Sequence, residues 1–146
     1  IWRASEPGTP HPRMRLQAVR RLNEAGVRCG VLLAPILPGL SDLRDQLQEV
    51  VEGCVAAGAV SVTPIVLHLR PGVDEHYLSW LDSWRPDLAE ECRRRYRGRA
   101  YLPRAEQAAL QGLVGDLLRQ ARGRSGSSGG RPSPSGGPRG RGGGRR

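Results

Sequence analysis

The side chains of this sequence that could do chemistry are few and scattered. Its three cysteines, Cys29, Cys54 and Cys92, stand 25 and 38 residues apart, and none has the CxxC-type spacing of a zinc site or a redox pair. Each lies in an apolar or helical setting, where a reduced thiol behaves as a small hydrophobe. Of the histidines, His11 and His76 stand where helices begin and are expected to be exposed. His68 closes an apolar run that ends at Arg70. Imidazole is the side chain readiest to move a proton near neutral pH, so His68 and Arg70 are candidates to face a substrate. No neighbour marks His68 as a base, and a hydrogen-bonded structural histidine is the favoured reading. Residue types and spacing alone assign neither a metal ligand nor a catalytic residue.

The elements that would position these groups follow from periodicity and punctuation. In "TPHPRMRLQAVRRLNEAG", Thr9 can cap a helix whose first turn accepts the prolines. Leu16, Val19 and Leu22 then fall at helical spacing, and Gly26 marks the end. The run "VRCGVLLAPI" reads as a strand from about Val27 to Ile36, although Pro35 and Pro38 remove backbone donors at its far end. "PGLSD" makes a turn, and Ser41 or Asp42 caps a second helix with Leu43, Leu47, Val50, Val51, Cys54 and Val55 as its stripe. "AVSVTPIVLHL", residues 59–69, is a second strand. Alternating helix and strand with short connections predicts parallel β/α units. Strands apolar on both faces belong to parallel sheets covered on both sides. Two strands alone make no stable parallel sheet, so further strands are expected upstream of Ile1.

Beyond "RPGVDEH" the pattern turns helical: "HYLSWLDSW", "PDLAEECRRRYRG" and "PRAEQAALQGLVGDLLRQA". Tyr77, Trp80, Leu81 and Trp84 share a face that reads first as packing, with ligand stacking as the alternative. The chain divides into β/α units over 1–72, a helical extension over 73–121, and a Gly/Pro/Ser/Arg tail over 122–146 that is expected to be disordered. The tail holds seven arginines and no acid, so the net charge of +9 falls to +2 without it. Lysine is absent from the chain while arginine, alanine, glycine and proline abound, a bias that fits a GC-rich gene. The charge is therefore poor evidence for nucleic acid; the tail, without interleaved aromatics, predicts at most weak, salt-sensitive binding. No stretch of eighteen apolar residues offers a membrane span, the opening residues do not form a targeting sequence, and a cytoplasmic chain is expected.

The order "EPGTPHPRMRLQAVRRLNEAG", then "VLLAPILPGLSD", then "VLHLRPGV…WL…RPDL" resembles the C-terminal half of the radical S-adenosylmethionine superfamily, in its spore photoproduct lyase-like (DNA repair photolyase-like) branch. The resemblance covers about residues 2–120. It implies an α/β fold, the C-terminal portion of a partial (β/α)6 TIM-like barrel. The upstream half of that barrel would carry a CxxxCxxC loop and its four-iron–four-sulfur cluster. It also implies S-adenosylmethionine as cofactor, cleaved to a 5′-deoxyadenosyl radical, with the substrate left open. The sequence departs from the family in lacking CxxxCxxC and the glycine-rich element that holds the methionine amino group. The chain alone is then half of a cofactor site, inactive, with the N-terminal half of the same barrel as its partner.

The same resemblance implies a set of cofactor-binding residues. Ser5 and Glu6 would lie near the ribose, unless they only cap the next helix. Arg15 would reach the cofactor carboxylate, for which a guanidinium suits bidentate pairing; Arg13 competes for that role. The backbone at Ala34, Pro35 and Ile36 would lie beside the adenine. Where many members place Glu after the Pro-Gly pair, this chain has Leu40, and Asp42 reads as a helix cap. A fragment of another β/α-barrel enzyme, or a weak nucleic-acid-binding module, are the other readings. The first would favour a glycine-rich phosphate loop, for which Pro38-Gly39 is too short.

Overall fold

The computed structural model describes residues 2–127. Over that range the order is α1 (Trp2–Ser5), α2 (Pro12–Glu24), β1 (Val31–Ile36), α3 (Arg44–Ala56), β2 (Val62–Val66), α4 (Val73–Trp84), α5 (Pro86–Tyr96) and α6 (Arg104–Ser127). The two strands pair in parallel, with α3 as their crossover, from Val31↔Val62 through Leu33↔Pro64. The register then shifts before Ile36↔Val66, where Pro35 and Pro64 have no N–H to give the ladder. The Ala34–Pro35 peptide is cis.

Several caps differ from expectation. His11, not Thr9, caps α2, its Nδ1 accepting from the Arg13 N–H at 3.2 Å. The N-cap of α3 is Leu43, without a side-chain hydrogen bond. Ser41 and Asp42 act inside the preceding turn, where they accept the Leu37 and Gly39 N–H groups at 2.8 and 2.9 Å. Asp42 also pairs with Arg95 at 3.6 Å, and Arg95 with Glu106 at 2.9 Å, so one guanidinium ties the turn to α5 and α6.

Two apolar clusters hold the molecule. In the first, α3 and α6 lie side by side, burying Leu47, Val51, Cys54, Val114, Leu117 and Ala121 with Ile36 and Val62 of the strands. Helix α2 joins through Leu16 and Val19. It crosses α3 at Gly53, where a Cβ would come within 2.9 Å of Leu16 Cδ1. In the second, the ends of the strands and the turn after β1 (Leu37, Leu40, Val66, Leu67, Leu69) meet Leu81 of α4 and Ala89, Cys92 and Tyr96 of α5. Leu110 packs against both clusters.

The partial (β/α)6 barrel implied by the resemblance is not the fold of the described residues. They form six helices and one two-stranded parallel sheet, a mainly helical arrangement. Beyond Val66 the apolar residues recur at helical spacing and supply no third strand, and two strands cannot close a barrel. Burial on both strand faces also fails: Leu32 is 67% exposed, and Ala34 and Thr63 are exposed with it. Helix α6 continues past Ala121 to Ser127; the rest of the tail expected to be disordered, residues 128–146, lies outside the described residues.

Two buried tyrosines make opposite predictions for one substitution. Tyr96 Oη donates to the Leu67 carbonyl at 2.7 Å, tying α5 to the end of β2. Tyr77 Oη is buried with no hydrogen-bond partner among the described residues. Burial pushes both phenols well above the ordinary tyrosine range, so both remain neutral. Tyr96→Phe leaves a buried carbonyl short of its donor and is expected to destabilise by about 1–2 kcal/mol. Tyr77→Phe removes an unsatisfied hydroxyl and is expected to stabilise by about 1 kcal/mol. Urea midpoints of the two variants should therefore move in opposite directions.

Candidate functional site

The C-terminal end of β1 opens onto a groove of about 590 Å³, lined by residues of three regions. The N-terminal segment contributes Ala4, Ser5, Glu6, Pro7 and Arg15; the strand ends contribute Ala34, Pro35, Leu37 and Leu67; and α4 contributes Val73, His76, Tyr77 and Trp80. A volume in the range of about 300–1,000 Å³, mostly apolar with a few polar groups, is typical of small-molecule sites.

The polar part is a network built by the short turn between α1 and α2. Thr9 Oγ1 donates to the Glu6 carbonyl at 2.9 Å and accepts from Trp2 Nε1 at 3.0 Å. Trp2 in turn meets the His11 ring edge-on, with centroids 4.8 Å apart. Arg15 donates through Nε to the Pro10 carbonyl at 3.1 Å and through Nη2 to Thr9 Oγ1 at 2.8 Å and to the Glu6 carboxylate. Its Nη1 has no acceptor among the described residues. The Arg15 and Glu6 side chains are 46% and 39% exposed, so their ion pair contributes little, about 0–1 kcal/mol, and is easily exchanged for contacts to a ligand.

Helix α4 is carried to the groove by the turn Arg70–Gly72. Gly72 has φ +84°, which only glycine adopts without strain, and the Arg70 carbonyl accepts the Val73 and Asp74 N–H groups at 2.9 and 3.1 Å. Leu81 is fully buried beneath, while Trp80, half-buried, faces the groove. The rings of Tyr77, Trp80 and Trp84 run along the helix, with centroid separations of 5.6 and 5.2 Å.

Among the residues implied by the resemblance, Ser5, Glu6, Arg15, Ala34 and Pro35 meet in this groove. Ile36 does not: its side chain is buried in the α3–α6 cluster. His68 and Arg70, the candidates to face a substrate, do not line the groove. His68 packs on Tyr101 with ring centroids 4.5 Å apart, and Arg70 is exposed. Sequence reasoning left His76 as an exposed helix-start residue and read Tyr77 and Trp80 first as packing, with substrate stacking as the alternative. The signal available was the choice of rings, rather than aliphatic residues, on successive turns of α4.

The described residues do not fit an iron–sulfur cluster. Burial raises the Cys54 and Cys92 thiols, which disfavours the thiolate that ligates iron. Among the described residues no three of His, Cys, Asp and Glu gather as a metal site. Nor is any helix there long and apolar enough to cross a membrane.

No family model and no solved structure matches the chain. An uncharacterized protein of Mycobacterium tuberculosis is 36% identical over 122 residues, which is 84% of this chain and 36% of the relative. An uncharacterized protein of Mycobacterium bovis gives the same figures. An uncharacterized protein of Acidianus two-tailed virus is 32% identical over 79 residues, 52% of this chain and 26% of its own. The chain therefore spans about a third of the length of the mycobacterial relatives it is similar to.

Proposed function

We propose that the groove is half of an S-adenosylmethionine site and that this chain is the C-terminal part of a longer radical S-adenosylmethionine enzyme. The supporting observation is the convergence in one groove of Ser5, Glu6, Arg15, Ala34 and Pro35, which are spread over three stretches of the sequence. The apolar floor of Ala34, Pro35, Leu37 and Leu67 suits the body of a nucleoside. Arg15 pairs with the ligand's carboxylate through Nη1 and Nη2, a fork that matches two carboxylate oxygens. Glu6, released from Arg15, then accepts a ribose hydroxyl. One ion pair is thus exchanged for two contacts to the ligand.

In enzymes of this class, S-adenosylmethionine supplies a 5′-deoxyadenosyl radical for hydrogen abstraction. The cluster that this chemistry requires would be held outside the present chain, and the chain's own residues bind and orient. The exposed outer face of β1, with Leu32, and the exposed Met14, Ala18 and Leu22 of α2 are where the remainder of the longer protein would pack. The test is anaerobic reconstitution of the M. tuberculosis relative with iron, sulfide and a reductant. A brown protein that releases 5′-deoxyadenosine from S-adenosylmethionine is expected, and the present chain treated alike should release none. A relative without CxxxCxxC, or one that leaves S-adenosylmethionine intact after iron and sulfide are incorporated, would overturn the reading.

A further inference from the structure

We infer that Trp80, flanked by His76 and Tyr77 on α4, is the stacking platform for the adenine ring, so that the ligand lies across the groove with its base at α4 and its charged end at Arg15. The inference rests on the reading of the groove as an S-adenosylmethionine half-site and adds an orientation and a specificity residue to it.

The lining is chemically divided. Its carboxylate and its guanidinium, Glu6 and Arg15, come from one hydrogen-bonded network next to α1. All of its rings except Pro7 and Pro35 come from α4. Between them lie only small or aliphatic side chains. A ligand that is planar and uncharged at one end and zwitterionic at the other satisfies this lining in one direction only. The reverse would leave Arg15 and Glu6 against a base and a charged tail against indole.

Trp80 packs against the second cluster through part of its side chain and also lines the groove. The fully buried residue at this turn of α4 is Leu81, whereas Trp80 is only half-buried and borders the groove. Two ring neighbours contact it, Tyr77 at 43° and Trp84 at 36°, which restricts the indole before any ligand arrives. Base–aromatic stacking works with any flat π-face and needs no hydrogen-bond partner. The strand ends supply Pro35 and Leu67 to the same groove, apolar groups of a size to cover one face of a purine.

The test uses the whole 146-residue chain and three probes: adenosine, methionine and S-adenosylmethionine. Adenosine is expected to shift the Trp80 indole N–H resonance, and methionine to leave it in place. Trp80→Leu should weaken adenosine and S-adenosylmethionine about tenfold, with Trp80→Phe retaining most of the affinity. Arg15→Ala should weaken S-adenosylmethionine while leaving adenosine nearly unchanged, which places the charged end of the ligand at Arg15, whereas Trp80→Leu should weaken both. If S-adenosylmethionine shifts the amides of residues 34–37 but adenosine leaves the Trp80 indole unmoved, the stacking role is overturned and the half-site stands. If neither probe shifts any residue of the groove, both fall. The indole signal is read on the unaltered chain, so it decides the matter even where Trp80→Leu does not fold.

Discussion

Replacing Arg15 with alanine is expected to weaken S-adenosylmethionine binding about tenfold to a hundredfold while barely changing stability. The two effects separate because they draw on different states of the same side chain. In the free protein Arg15 bonds the Pro10 carbonyl, Thr9 and Glu6 in a half-exposed setting, where an ion pair contributes about 0–1 kcal/mol. In the complex the guanidinium meets a carboxylate through two Nη atoms, and a hydrogen bond to a charged group is worth about 1.5–3 kcal/mol. The alanine variant also leaves the Glu6 carboxylate facing the ligand's own, which adds repulsion. Arg15→Lys keeps the charge without the fork and should fall between the two. Glu6→Gln, by contrast, frees Arg15 and keeps an acceptor for the ribose, so binding should change by no more than a few-fold. Titration calorimetry on the four proteins, beside their urea midpoints, reads both halves of the prediction.

The second large effect lies in the core. Leu117→Ala should destabilise by about 2–5 kcal/mol, the range for truncating a buried leucine. Leu117 is 2% exposed and sits with Leu47, Val51, Cys54 and Val114 at the seam between α3 and α6. That seam covers the sheet on its one protected face, for β1 and β2 leave Leu32 and Thr63 open on the other. A domain of this size has about 5–15 kcal/mol in total, so this single cavity removes a large share. Leu118, only partly buried at the edge of the same cluster, should lose markedly less when cut to alanine. Equilibrium urea unfolding of the two variants gives the comparison.

How much of this could be read from the sequence depends on which signal carried each feature. The helices α2 and α3 and the two apolar strands were legible, because burying one face of a helix leaves a 3.6-residue period, although Leu22, Leu43 and Val50 of the expected stripes are exposed. Boundaries and caps were less so. Ser41 and Asp42 have the right chemistry for a helix cap, yet the Pro-Gly turn uses both first, and nothing local reveals the choice. The β1 strand begins at Val31 rather than Val27 because the Asn23 side chain takes the Cys29 N–H at 3.1 Å, a contact six residues away. The barrel was an expectation of the resemblance alone; the residues themselves specified two strands and then helices. The groove shows the same division. Ser5, Glu6, Arg15, Ala34 and Pro35 were named through the resemblance, whereas His76 and Trp80 reach it only because the Gly72 turn folds α4 back over the strand ends.

The most direct test of the half-site is a titration of the isotope-labelled chain with S-adenosylmethionine at millimolar concentration, following every backbone amide by NMR. The predicted result is a set of concentration-dependent shifts confined to the N-terminal turn around Ser5–Glu6, to Arg15, to residues 34–37 and to residues 73–80, all displaced to at least about tenfold higher ligand concentration in Arg15→Ala. Shifts centred instead on the shallow depression between Glu52 and Arg124, or no shifts at all, would contradict it.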